Sequence, residues 1–159
     1  MKKELKDILV FGIIFVIVDL IVKVVVSSKM IVNQTYIIVK DFFSISLAHN
    51  TGAAFSILTG KRILLILIAV IILIVIFNYL RKNKIESKVE KIAFSLIIGG
   101  SVGNLLDRIV RGYVIDFLDF KIFGYNFPIF NLADTFIVIG VLLLLIITLT
   151  RKEVKHDNR

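Results

Sequence analysis

No cysteine occurs in the 159 residues, which excludes disulfides, thiol nucleophiles and thiolate metal sites. The redox compartment stays open on that ground. Histidine is nearly as scarce: only His49 and His156 are present, and His156 lies beyond the last apolar run. A histidine-based triad or a His-rich zinc site has too few residues to draw on. Pro128 is the only proline, and no internal repeat or low-complexity linker is visible.

What is present is mostly apolar. Hydrophobic residues make up 58% of the chain, and the mean hydropathy is +0.95. A water-soluble domain rarely carries that much apolar surface, because too little polar surface remains to cover it. The length suits one domain, residues 1–159, with the bilayer supplying most of the apolar burial. The formal net charge of +8 invites a nucleic-acid partner, but its distribution points elsewhere. The cations gather at Lys2, Lys3 and Lys6, at Arg81, Lys82, Lys84, Lys88 and Lys91, and at Arg151, Lys152, Lys155 and Arg159. These are the flanks of apolar runs, where retained positive charge marks the cytoplasmic side. No nucleic-acid partner is expected.

Four apolar segments, approximately residues 8–26, 63–80, 92–107 and 132–150, have about the length a membrane-spanning helix needs, the third being slightly short. Placing the basic clusters inside leaves both termini cytoplasmic and two outer loops, 27–62 and 108–131. Met1–Asp7 followed by an apolar run fits the start of a signal peptide. Asp19 and Lys23 interrupt that run and no small-residue cleavage site follows, so an uncleaved span is expected. In the first outer loop, residues 36–39 and 42–47 look extended. Ser44, Ser46 and Ala48 there alternate with Phe43, Ile45 and Leu47, the period of a half-buried strand. The predicted fold class is an all-α membrane protein: four transmembrane helices, a small extracytoplasmic β-sheet and an outer-face loop or lid. The second outer loop is dense in Phe117, Phe120, Phe123, Tyr125, Phe127 and Phe130, which fits an anchoring belt at the headgroup level.

Polar groups near lipid are costly unless paired or wet, so each is a candidate for function. They are Asp19, Lys23, Asn50, Asn104, Asp107, Arg108, Asp116, Asp119, Asn131 and Asp134, most of them at the outer ends of the helices. Asp19 and Lys23 are spaced i, i+4 and can pair on one face, either as an internal salt bridge or as support for a site. Asn104 and Arg108 share a face, Gly100 and Gly103 permit close helix approach, and Asp107 is a local partner candidate for Arg108. Asn131 to Asp134 reads as a helix cap with an acid at the third helical position, a place that stabilises the anion. Capping and catalysis are compatible there. A Ser–Lys dyad would use Lys23 with Ser56 or Ser101, but no spacing singles it out. Two carboxylates are better supplied: neighbouring aspartates share a proton, so one activates water while the other donates. The chemistry of the residues does not choose among Asp107, Asp116 and Asp119 as the partner of Asp134. A proton-coupled transporter or channel subunit, with Asp19, Asp107 and Asp134 as a relay, is the reading from another class.

Five segments occur in an order similar to that of lipoprotein signal peptidases (signal peptidase II). They are Asp19-Leu-Ile-Val-Lys23, Asn50-Thr-Gly-Ala-Ala-Phe55, Gly100-Ser-Val-Gly-Asn104-Leu-Leu-Asp107-Arg108, Val114-Ile-Asp116-Phe117 and Phe130-Asn131-Leu-Ala-Asp134. The resemblance runs from the first span to the fourth. Leu20 departs from it, standing where the family commonly has glutamine. The resemblance implies an aspartic endopeptidase of the bacterial cytoplasmic membrane that cleaves prolipoproteins before a diacylglyceryl-modified cysteine. It implies Asp116 and Asp134 as the catalytic pair, and Asn50, Gly52, Asn104, Arg108 and Asn131 as substrate-binding or dyad-supporting residues. Asp19, Lys23 and Asp107 would give structural support. It further implies no metal or organic cofactor, membrane lipids and globomycin-type cyclic peptides as further partners, and a lid near residues 119–127.

Overall fold

The computed structural model describes residues 2–53 and 57–157, with side chains described up to Thr150. Ala54 and Phe55 of the second motif and Ser56 of the serine–lysine alternative lie outside the described residues. Four long helices are present: α1 (Lys3–Lys29), α2 (Arg62–Lys82), α3 (Lys88–Val110) and α4 (Leu132–Asp157). All four are long and apolar enough to cross a membrane, as the hydropathy pattern predicts. Each extends past its apolar run. The third is not short, because the polar turns flanking residues 92–107 stay helical. The fold is that of a multi-pass membrane protein.

Four strands, β1 (Thr35–Val39), β2 (Phe43–Asn50), β3 (Val114–Ile122) and β4 (Tyr125–Asn126), form one antiparallel sheet in the order β1-β2-β3-β4. The expected lid loop is corrected in part. Residues 119–122 belong to β3, and β3 and β4 close as a hairpin through Phe123 and Gly124. Both turn residues have positive φ, 49° and 81°, the pair of conformations a tight two-residue hairpin turn requires. The aromatic belt is also divided. Phe117 is buried, Phe120 stacks on Phe43 and Phe130, and only Phe123, Tyr125 and Phe127 stand out from the surface.

The least apolar helix lies at the centre. The most apolar window of α3 has a mean hydropathy of only 1.3, against 2.7 to 3.3 in the other spans, and it is also the most buried of the four. It packs along α1 and α4, and less extensively on α2. The outward faces of α1, α2 and α4 carry exposed Val, Ile, Leu and Phe. Such a surface would aggregate in water but suits lipid tails. Close approach is made at glycines: a Cβ on Gly99 would lie 2.8 Å from the Gly12 carbonyl, and one on Gly140 would lie 2.7 Å from that of Ala93. A Cβ on Gly100 would run into the Ala133 carbonyl and lie 2.9 Å from Ile137.

Leu5, Ile8, Leu80, Ile85 and Phe94 seal the bundle at the end carrying the basic clusters. At the opposite end Leu47, Ile115 and Phe117 of the sheet rest on Val22 and Val26 of α1, on Met30 just past its end, and on Leu132 of α4. The polar residues gather beneath that sheet.

Glycine-to-alanine substitutions should separate accordingly in melting experiments in detergent. Gly12→Ala, whose added Cβ has no neighbour nearer than 3.5 Å, should be neutral or stabilising. The gain comes from helix propensity and is up to about 1 kcal/mol. Gly100→Ala should destabilise by about 1–3 kcal/mol, because the Ala133 backbone has to move. Equal melting temperatures for the two would contradict the packing.

Candidate active site

Lys23 enters the bundle from α1 with no solvent exposure, so its ammonium must be surrounded by acceptors. Its three donors are matched by three partners: Asp19 Oδ2 at 2.7 Å, Asp107 Oδ2 at 3.0 Å and Asn104 Oδ1 at 3.0 Å. Asp19 Oδ1 in turn accepts the Ala133 backbone amide of α4 at 3.0 Å. Asp107 is held further by Arg111 Nε at 3.0 Å and the Ile115 amide at 3.3 Å. The anticipated Asp107–Arg108 pairing is replaced by Asp107 with Lys23 and Arg111. Adjacent helical residues diverge, whereas Arg111 lies i+4 from Asp107 on the same face. Lys23 is fully engaged here, which leaves it no role as the base of a serine–lysine dyad.

The lysine also orients the next layer. Because an ammonium only donates, Asn104 must turn Oδ1 toward it, and Nδ2 then faces Asp134 Oδ1 at 2.7 Å. Asn131 is fixed similarly. It caps α4, its Oδ1 accepting the Asp134 amide at 2.9 Å while Asp134 Oδ2 accepts the Asn131 amide at 3.3 Å. This is the reciprocal capping box anticipated from the spacing. With Oδ1 committed to the helix end, Asn131 Nδ2 donates to Asn104 Oδ1 at 3.1 Å and to Asp116 Oδ1 at 2.6 Å.

Asp116 arrives from the sheet. Its strand partner is Ala48, and the diagonal neighbour Asn50 donates Nδ2 to Asp116 Oδ2 at 2.9 Å. Asn50 Oδ1 accepts the Gly52 amide at 2.8 Å, and Gly52 O accepts Arg108 Nη2 at 2.9 Å. Arg108 also donates to its own helix at Asn104 O, 3.3 Å away. The asparagines therefore hold the two carboxylates, and the arginine braces the turn after β2.

Asp116 and Asp134 thus share Asn131 and are surrounded by neutral amides, with one such donor on each of their four oxygens. Asp116 is 2% exposed, while Asp134 is only half-buried and forms the open side of the pair. Burial, then the nearby Asp134 charge, pushes the Asp116 carboxyl up to about 7 against the lowering effect of the Asn50 and Asn131 amides. Asp119 stands apart, accepting Ser46 Oγ at 2.6 Å, with Ser46 also bonded to Thr35. His49 is exposed on the strand face opposite Asn50 and stacks on Tyr113 at 3.8 Å. Among the described residues no group of three or more His, Asp or Glu side chains is arranged to hold a metal ion.

Residues 11–150 match the family model of signal peptidase (SPase) II. The chain belongs to the signal peptidase II family. It is 36% identical over 150 residues to a lipoprotein signal peptidase of Staphylococcus aureus, covering 94% of this chain and 92% of that one. It is 40% identical over 145 residues to one of Clostridium tetani, covering 91% and 92%. A bacterial membrane enzyme solved by the in meso method at 2.3 Å superposes with a TM-score of 0.85 at 35% identity, covering 91% of this chain and 88% of that one. A second, at 1.9 Å, gives 0.80 at 36% identity, covering 89% and 92%. The signal peptidase II resemblance carried by the five motifs is therefore a family relationship along nearly the whole chain.

Sequence reading missed Arg111, Ser46 and Thr35. Arg111 carried a usable signal, its i+4 spacing from Asp107. The Ser46–Asp119 contact had none, since it depends on strand register.

Replacing Lys23 by methionine would strand two buried carboxylates. Lys23→Met should destabilise the protein by about 3–5 kcal/mol in reversible unfolding in detergent. Adding Asp19→Asn to that variant should restore part of the loss, whereas additive losses would show that the pair is uncoupled.

Proposed function

We propose that the chain is a membrane aspartic endopeptidase that removes signal peptides from diacylglyceryl-modified prolipoproteins, cleaving before the lipidated cysteine with Asp116 and Asp134 as its catalytic pair. The observation that carries this reading is the pair itself: two neighbouring carboxyls joined through Asn131, one deeply buried and one partly buried, at the sheet end of a membrane bundle. Family membership and the relatives named lipoprotein signal peptidase support the substrate class.

Among the described residues no cation is hydrogen-bonded to either carboxyl, and the pair holds one proton near neutral pH, assigned in this proposal to Asp116. Asp134, ionised at the helix end, takes a proton from a water whose oxygen adds to the scissile carbonyl carbon. Asp116 donates its proton to the carbonyl oxygen. Collapse of the tetrahedral intermediate breaks the C–N bond: the leaving amine takes the proton now on Asp134, and one hydroxyl of the diol returns its proton to Asp116, which leaves a carboxyl product and the pair in its starting state. Asn50, Asn104 and Asn131 keep both carboxyls aimed through this cycle, and Arg108 and Gly52 support the β2 side.

The proposed location is the bacterial cytoplasmic membrane, with both termini cytoplasmic and the dyad extracytoplasmic. The start of α1 and the α2–α3 connection carry two of the three basic clusters at the end opposite the dyad, and α4 runs toward that same end. A lipid-anchored cysteine would present its scissile bond near the dyad's level. Membrane lipids would cover the exposed apolar faces, and globomycin-type cyclic peptides are the proposed inhibitors by family resemblance.

Cleavage of a diacylglyceryl prolipoprotein by purified protein in detergent tests the dyad. Asp116→Asn and Asp134→Asn should each abolish cleavage while retaining a folded melting transition, and an active variant of either kind would refute the pair. In the wild type, kcat/KM should fall as pH rises through about 7, where the shared proton leaves and two like charges remain. A profile flat across that range would remove the acid role from the dyad. Topology is tested separately with impermeant labels on cysteines introduced one at a time. Sites in 31–42 should react from outside and sites in 82–88 only after permeabilisation; the reverse pattern would invert the orientation.

A further inference from the structure

We propose that Arg62 is a positioning residue for this peptidase site: it clamps the carboxyl end of α3 so that Arg108 can brace the Gly52–Asn50 turn against Asp116. The inference rests on the dyad reading above and deepens it.

The clamp is made of two hydrogen bonds. Arg62, the first residue of α2, donates Nε to the Arg108 carbonyl at 2.7 Å and Nη2 to the Ile109 carbonyl at 2.8 Å. Both acceptors lie in the last turn of α3, where carbonyls have no partner within the helix. A cation there also meets the negative end of the helix dipole. The guanidinium further lies against Gly112, whose φ of +87° turns the chain from α3 toward β3. A Cβ at Gly112 would come within 3.4 Å of Arg62 Nη1.

Arg108 is therefore held at its backbone by Arg62, while its own side chain holds Gly52 O. The connection between β2 and α2 is tied at both ends to this one residue. Downstream the order is unbroken: Gly52 N bonds Asn50 Oδ1, and Asn50 Nδ2 bonds Asp116 Oδ2. α2 has little else to fix it, since Leu65 and Leu80 are its only buried side chains. Lysine at position 62 would bring a single point charge and could not span two successive carbonyls as the planar fork does.

The groups facing Asp116 are the Asp134 carboxyl, the Asn50 and Asn131 amides and, farther off, the cations of Lys23 and Arg108. Of these, Arg62 governs Asn50 and Arg108, and losing either influence acts on Asp116 in the same direction. Slackening the Asn50 bond removes a donor that favours the ionised form, so the alkaline limb of the pH profile should move upward.

The test compares wild type, Arg62→Ala, Arg62→Lys and Leu65→Ala on a diacylglyceryl prolipoprotein, each with a melting curve. Arg62→Ala should lose roughly ten- to hundredfold in kcat, with KM changing less and the alkaline limb displaced to higher pH. Arg62→Lys should recover part of both. Leu65→Ala, which loosens α2 without touching the clamp, should lower the melting temperature but keep the wild-type limb and kcat. Wild-type kcat and limb in Arg62→Ala would overturn the proposal. So would a loss that merely follows melting temperature, as in Leu65→Ala. If the alanine variant does not fold, Arg62→Lys decides: an unshifted limb and full kcat overturn the clamp. An active Asp116→Asn would instead overturn the dyad, while an inactive one beside a fully active Arg62→Ala would refute positioning alone.

Discussion

A lysine ammonium sealed inside a lipid-embedded bundle has to find an acceptor for every proton it carries. Lys23 meets that demand with Asp19 from its own helix and with Asp107 and Asn104 from α3. Its requirement reaches further, because Asp19 also accepts one amide in the first turn of α4, that of Ala133. Three helices are thereby set at one level by a single charge. The glycine pattern follows from this: a Cβ on Gly103 would stand 2.6 Å from the Asp19 carboxylate. Removing one partner of such a cluster leaves a buried charge unmatched, a far larger penalty than the net gain of having built it.

The same charge orders the proposed dyad without touching it. Lys23 sets which way the Asn104 amide faces, and that amide reaches Asp134. Asn131 receives its orientation from the helix it caps and passes it to Asp116. Cap and site are one device, so a residue needed to start α4 also aims a carboxyl. Among the described residues only neutral amides bond the two aspartates, while the nearby cations, Lys23 and Arg108, make their hydrogen bonds elsewhere. That arrangement keeps a proton on the pair near pH 7, where a direct ion pair would have stripped it.

Burial is distributed unlike that of a soluble protein. α3, the most polar span, is the inner helix, and the apolar faces of α1, α2 and α4 point outward. Lipid gives no reason to hide leucine, so packing is left to small residues and to polar pairs. The sheet closes one end by resting on α1 and carries Asp116 to the helices, and Arg62 ties the otherwise lightly held α2 to that end.

Much of this was legible in the residues. Run length and flanking cations specify four spans because a bilayer imposes length and charge rules that need no knowledge of partners. The i, i+4 pairing of Asp19 with Lys23 and the Asn131–Asp134 cap are local, and helical geometry alone brings those atoms together. Five motifs in order were enough for the family. What the sequence could not decide was which distant groups would meet. Asp107 turned to Lys23 rather than to its neighbour Arg108, and Asp116 rather than Asp119 came beside Asp134. Arg62 met a carbonyl 46 residues away in the chain. Such contacts depend on strand register and helix rotation, which are set by the packing of all elements together and leave no periodic mark on the chain.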